Sequence, residues 1–176
     1  MNKYSQINIL AWTLIITIPF ILQSTRVINT VQYVTSKDNG WWSILTGPLL
    51  HGNANHFAGN IIGLLIGVTL LINLYKKSYW MVIVAGYICP AIVMYQTGFK
   101  SVGISGLVFT IVWFIIYRGL ISTKLFRLIP AIVMLLLYGT TLYSAFPQTG
   151  SQIAWQAHLT GVLIGVFLAI INKISR

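Results

Sequence analysis

Long apolar stretches, separated by short clusters of basic and small polar residues, set the pattern of this chain. Six runs emerge, over residues 7–22, 57–74, 79–95, 104–117, 128–146 and 153–171. Several reach the length of ~20 residues that a helix needs to cross a bilayer. Pro19, Pro90 and Pro130 fall within or near the runs, which membrane helices tolerate. The connection over residues 23–55 is long and the others are short. A long loop in a compact domain is usually functional or disordered. This one carries Trp41 and Trp42, rings suited to a headgroup interface. The pattern predicts an all-α membrane protein: a bundle of six transmembrane helices in a single domain, residues 1–176. The first run lacks the basic n-region and small-residue cleavage site of a signal peptide and is read as a retained transmembrane helix.

Composition supports this picture. Of 176 residues, 57% are hydrophobic and 7% charged, against about 25% charged in a soluble domain. A net charge of +10 would suggest nucleic acid in a soluble protein. Here the basic residues lie between apolar runs, so they read as topology signals and nucleic acid is not expected as a partner. With the N-terminus inside, Lys3, Lys76, Lys77, Arg118, Lys124, Arg127, Lys173 and Arg176 are cytoplasmic, and Arg26, Lys37 and Lys100 lie outside with Asp38. The basic-inside rule favours that orientation, with both termini cytoplasmic. The lone cysteine, Cys89, lies in an apolar run and reads as packing.

In this orientation the second, fourth and sixth runs all enter from the outer side. Their entrances carry His56 and Asn60, Ser105, and His158. His56 and Asn60 are four apart and share a helix face. Gly59, Gly63 and Gly67 form a small-residue ridge beside them, and Ala157, Gly161 and Gly165 form another next to His158. Such ridges let membrane helices pack backbone to backbone. Ser105, between Gly103 and Gly106, suits the docked partner. Taken singly, a serine in a membrane span bonds back to its own helix, and a histidine packs. Taken together, costly polar groups in a membrane mark function. Ser105 and His158 supply a nucleophile and a base, the latter with an ordinary pKa of about 6.5. Asp38, the one carboxylate, is far away in sequence, so the imidazole is expected to be oriented by packing. Asn60, His56 and the Ser105 backbone N–H would donate to an oxyanion.

Three blocks carry a resemblance to a known family: H-G-N-A-N-H-F-A-G-N from His51 to Asn60, G-I-S-G from Gly103 to Gly106, and A-H-L-T-G-V-L-I-G from Ala157 to Gly165. On these, in this order and on alternate runs, the chain resembles the rhomboid intramembrane serine proteases over nearly its whole length. The resemblance implies that Ser105 is the nucleophile, His158 the general base, and that His56 and Asn60 line the oxyanion hole. It implies a structural role for His51 and a substrate that is the transmembrane segment of another protein, cut near its outer end. It also implies that the fifth run and the following loop, 147–156, shield the site and move; Gly150 with Ser151 reads as a flexible point in that loop. Phe109 stands where many members have a tyrosine stacked on the histidine, so the ring is kept and the hydroxyl lost. Trp41-Trp42 stands in place of the family's Trp-Arg pair.

No cofactor or metal is expected; the partners are the lipid bilayer and membrane-protein substrates, with the oligomeric state open. The location implied is a prokaryotic plasma membrane, crossed several times. Two other readings compete: a non-catalytic relative that binds and escorts membrane proteins, and a metal site or transporter built on His51, His56 and His158.

Overall fold

The computed structural model describes residues 3–149 and 153–174. Gly150, Ser151 and Arg176, which figured in the expected loop flexibility and topology, lie outside the described residues. The described residues form helices α1 (Lys3–Ser24), α2 (Ser43–Thr46), α3 (Ala54–Tyr75), α4 (Tyr79–Thr97), α5 (Ser105–Leu120), α6 (Leu125–Tyr138) and α7 (Trp155–Ile174). They contain no β-strand, only an isolated bridge between Thr35 and Ser101. Among the described residues, four helical segments are long and apolar enough to cross a membrane: Ser5–Ser24, Ala54–Thr97, Leu125–Ala145 and Trp155–Asn172. The second runs for 44 residues through both α3 and α4. Large apolar side chains such as Leu10, Ile62, Leu136 and Leu163 point outward along these helices. This is the surface of a protein whose solvent is lipid, and the molecule is a helical membrane protein.

The α5 helix sits at the centre. It packs against α3, α4, α6 and α7, and its Leu107, Ile111, Phe114 and Ile115 are essentially sealed from the surface. Glycines set how closely its neighbours approach. A Cβ placed on Gly161 of α7 would lie 2.5 Å from the Gly106 carbonyl oxygen, and one on Gly165 2.5 Å from that of Thr110. The α5–α7 contact is therefore backbone against backbone, the arrangement that small-residue ridges permit. On the other side Gly63 and Gly67 of α3 meet Val108 and Ile111. Gly59 departs from the expected ridge: a Cβ there would meet nothing within 4 Å, because that turn of α3 faces open space.

The ends of α1 are tied to the rest by side chains. Trp12 Nε1 donates to the Tyr79 hydroxyl, which donates to Asn8 Oδ1. At the other end the Gln23 amide donates to the His51 carbonyl and accepts from the His51 N–H.

Two element boundaries depart from the apolar pattern. The α3 helix starts at Ala54, earlier than expected, because the Asn53 side chain caps it by accepting from the His56 N–H at 2.9 Å. The run over 128–146 is not one α-helix. It ends as α at Tyr138 and tightens into a 3-10 segment, Gly139–Ala145. Gly139, Thr140 and Thr141 are weak helix formers, and Thr141 bonds back to the Tyr138 carbonyl.

Candidate active site

The loop before α5 sets the position of Ser105. Thr35 and Ser101 exchange backbone hydrogen bonds at 3.0 and 3.1 Å, and the Gly103 N–H donates to the Gly47 carbonyl at 3.2 Å. The long first loop thus braces the turn that leads to the serine. It is itself held by buried Thr35 and Ser43, whose hydroxyls donate to the carbonyls of Ser43 and Gly40. Gly103 has φ +104°, and a Cβ on it would lie 2.6 Å from the His56 ring. Only glycine meets both conditions. Ser105 follows as the first residue of α5, where the helix presents unbonded N–H groups and the positive end of its dipole.

The close α5–α7 packing places His158 opposite this end. Its Nε2 is 2.9 Å from Ser105 Oγ. The imidazole stacks on Phe109, one turn along α5, with centroids 4.3 Å apart and planes 9° from parallel. The ring contact expected at this position is made by phenylalanine without the hydroxyl. Packing is not the whole of the orientation, however. Nδ1 lies 2.9 Å from Ser144 Oγ and 3.1 Å from the Ser144 carbonyl oxygen, both in the 3-10 segment. Ser144 was not singled out from the sequence, and no local signal distinguishes it from the other hydroxyls of that run.

His56 and Asn60 line the same cavity as Ser105 and His158, a space of about 900 Å³. Gly59 lines it too, which explains the room beside it. Asn60 is buried, and its Nδ2 has no hydrogen-bond partner. An amide donor left without an acceptor costs free energy in a buried place, and the residue that carries this one is on the wall of the cavity. His51 does not line this cavity. It is fully buried, edge-on to Phe57, Phe20 and His56. Burial, followed by the proximity of His56, pushes its pKa down to about 4, with the Leu49 carbonyl offsetting a little.

Asp38 lies 4.0 Å from Lys100 with both side chains largely exposed. It comes nearer the site than its sequence position suggested, since Lys100 lines the cavity, but its partner is the lysine. Trp41 and Trp42 are exposed, and Trp42 meets Tyr33 edge-on. Among the described residues no three His, Cys, Asp or Glu side chains are grouped to hold a metal.

The Rhomboid domain profile matches residues 38–173. The chain belongs to the rhomboid family. The matched region contains every residue of the cavity just described. An uncharacterized protein of Mycobacterium tuberculosis is 29% identical over 144 residues, covering 76% of this chain and 60% of the relative. An uncharacterized protein of Mycobacterium leprae is 29% identical over 143 residues, covering 76% and 57%. The rhomboid protease GlpG of Haemophilus influenzae is 23% identical over 142 residues, covering 80% and 74%. The aligned region is thus about 60% of the length of the mycobacterial relatives.

Proposed function

We propose that this rhomboid-family protein is an intramembrane serine endopeptidase that cuts transmembrane segments of other proteins near their outer end. The observation that carries the reading is the 2.9 Å approach of Ser105 Oγ to His158 Nε2 on the wall of a cavity. In this reading the chain forms one membrane domain, with α1, α3, α4, α5, α6 and α7 as six spans and both termini cytoplasmic. Its place is a prokaryotic plasma membrane.

The chemistry follows from the geometry. His158 Nε2 takes the Ser105 proton as Oγ attacks the scissile carbonyl. The carbonyl oxygen becomes an oxyanion that accepts from the Ser105 backbone N–H, Asn60 Nδ2 and the His56 ring. The α5 N-terminus adds a favourable field for that charge. His158 then delivers its proton to the leaving amine. Water from the cavity attacks the acyl-enzyme with the same base, releasing the acid and restoring Ser105. Donors fixed before reaction and shielded from bulk water are the largest contributors to such steps, about 10²–10³ in kcat for each donor removed. His51, buried behind His56 with its backbone clamped by Gln23, serves as a support.

The test is reconstitution in liposomes with a set of single-span substrates, and labelling by a fluorophosphonate. Wild type should label and cleave, and Ser105→Ala should do neither. A wild-type protein that folds, fails to label and still retains membrane proteins would support the escort reading instead.

A further inference from the structure

We infer that Ser144 is a positioning residue that fixes which nitrogen of His158 carries the proton. A dyad works as nucleophile and base only in one neutral tautomer. Nε2 must hold the lone pair, so Nδ1 must hold the hydrogen. The contacts around Nδ1 impose that state. The Ser144 hydroxyl has a single proton, and it is directed to the Thr141 carbonyl at 2.7 Å. A carbonyl oxygen can only accept, so this proton is committed there. Ser144 Oγ, 2.9 Å from Nδ1, is then an acceptor toward the imidazole. The Ser144 carbonyl, 3.1 Å from Nδ1, is also an acceptor. Both groups facing Nδ1 therefore require a hydrogen on it. The other tautomer would set the Nδ1 lone pair against a carbonyl lone pair and pull the hydroxyl proton off Thr141.

The result is a one-way chain of donors. Ser105 Oγ–H points to His158 Nε2, His158 Nδ1–H to Ser144 Oγ, and Ser144 O–H to the Thr141 carbonyl. On attack the Ser105 proton moves to Nε2, and Nδ1 keeps its own. No proton passes to Ser144, which meets the imidazolium with an acceptor already aimed. The hydrogen bond becomes charge-assisted at that moment, when such bonds are roughly twice as strong. Ser144 thus acts where a third, anionic member would act in a triad, but without a charge. Both acceptors ride on Gly139–Ala145, which packs against α6 and α7. This role rests on the protease reading, but the tautomer can be measured without it.

The experiment has two arms. In the first, protein with ¹⁵N-labelled histidine is reconstituted and the His158 nitrogens are assigned by comparison with His158→Asn. Wild type should show a neutral ring protonated at Nδ1. Ser144→Ala removes the nearer acceptor and keeps the Ser144 carbonyl at 3.1 Å, so the Nδ1-protonated signal should weaken and the other tautomer appear beside it, and Ser144→Thr, which keeps the hydroxyl, should restore the wild-type signature. In the second arm, substrate cleavage by Ser144→Ala should have a kcat lowered about ten- to a hundredfold with KM unchanged, again recovered in Ser144→Thr. A wild-type ring protonated at Nε2 overturns the proposal even if Ser144→Ala fails to fold. A Ser144→Ala protein with wild-type tautomer and wild-type kcat overturns it too. A wild-type protein that does not cleave, but shows the expected tautomer and its loss in Ser144→Ala, sinks the protease reading and leaves the positioning role standing.

Discussion

Replacing Gly161 by alanine should damage catalysis far more than folding. A Cβ at this position would stand 2.5 Å from the Gly106 carbonyl oxygen, 2.8 Å from Phe109 Cβ and 3.3 Å from the Thr110 nitrogen. Two of these three atoms are backbone, so no side-chain rotation relieves the clash. Ordinary contact lies at about 3.5 Å, and α5 and α7 must therefore part by roughly 1 Å. Overpacking of this kind costs about 1–3 kcal/mol, which a protein with many other helix contacts survives. The dyad straddles the same interface. Ser105 comes from α5 and His158 from α7, three residues before Gly161, and the ring rests on Phe109, which is itself pushed. A misplacement of about 1 Å in reacting groups costs about 10²-fold in rate. Gly161→Ala should insert, purify and unfold a few degrees earlier, while fluorophosphonate labelling and cleavage fall by about two orders of magnitude. Leu163→Ala, on the outward face of the same helix, should leave both near wild type. Full activity in Gly161→Ala would mean that the α5–α7 contact does not set the dyad, and the reasoning from the ridge would fail.

Other expectations follow from the same geometry. Ser105→Ala and His158→Ala should each abolish cleavage, and the double variant should be no worse than either, since groups acting as a unit are non-additive; appreciable turnover in a single variant sinks the dyad. Asn60→Ala should lower kcat by about 10²–10³ with little change in KM, because its amide meets charge present only in the transition state; a pure KM effect would move Asn60 out of the oxyanion hole. His51 has a folded pKa pushed down to about 4, so the fold holds it neutral while the unfolded chain takes up a proton at higher pH. Its stability contribution is present above about pH 6.5 and is lost as pH falls toward 4; thermal unfolding in detergent should show an acid decline that is shallower in His51→Phe. A reporter fused after Arg176 should read cytoplasmic, and one inserted beside Asp38 external; the reverse pattern would refute the orientation inferred from the basic residues.

The parts of the site that were legible in sequence are those whose chemistry stands out from its surroundings. A serine between glycines, and histidines at the mouths of apolar runs, are conspicuous because polar groups there are costly. The Gly161–Gly165 ridge was legible because four-residue spacing maps directly onto one helix face. Gly59 shares that spacing with Gly63 and Gly67, yet its side of α3 opens on the cavity, a fact that depends on where α3 tilts relative to α5. The capping by Asn53 had its signal in place, three residues before His56. The end of α6 did not stand out. Leu142 and Tyr143 resume the apolar run right after Gly139, Thr140 and Thr141, so the apolar pattern alone carries no firm boundary, and the change from α to 3-10 alters which side chains face α7. Ser144 reaches His158 through that change of pitch. Its hydroxyl looks no different in sequence from those of Thr140 and Thr141.

Neutral acceptors around the imidazole suit a part-buried site. A carboxylate in the place of Ser144 would stabilise the imidazolium more strongly, but the resting protein would have to carry it desolvated. That penalty is several kcal/mol for an ion in low dielectric, and a neutral histidine does not repay it. The chain keeps its one carboxylate, Asp38, exposed beside Lys100. A hydroxyl whose proton is committed to a backbone carbonyl costs little to bury, since both of its roles are satisfied. It gives orientation at all times and charge-assisted stabilisation only when the imidazolium forms. With less help to the base, more of the barrier must be lowered at the oxyanion. In the proposed reading the donors for that charge are the Ser105 backbone N–H, Asn60 and His56. The prediction that separates this division of labour from a triad is a ranking: losing Asn60 should cost more in kcat than losing the Ser144 hydroxyl. A Ser144→Ala defect larger than that of Asn60→Ala would mean that the base, not the oxyanion, limits the reaction.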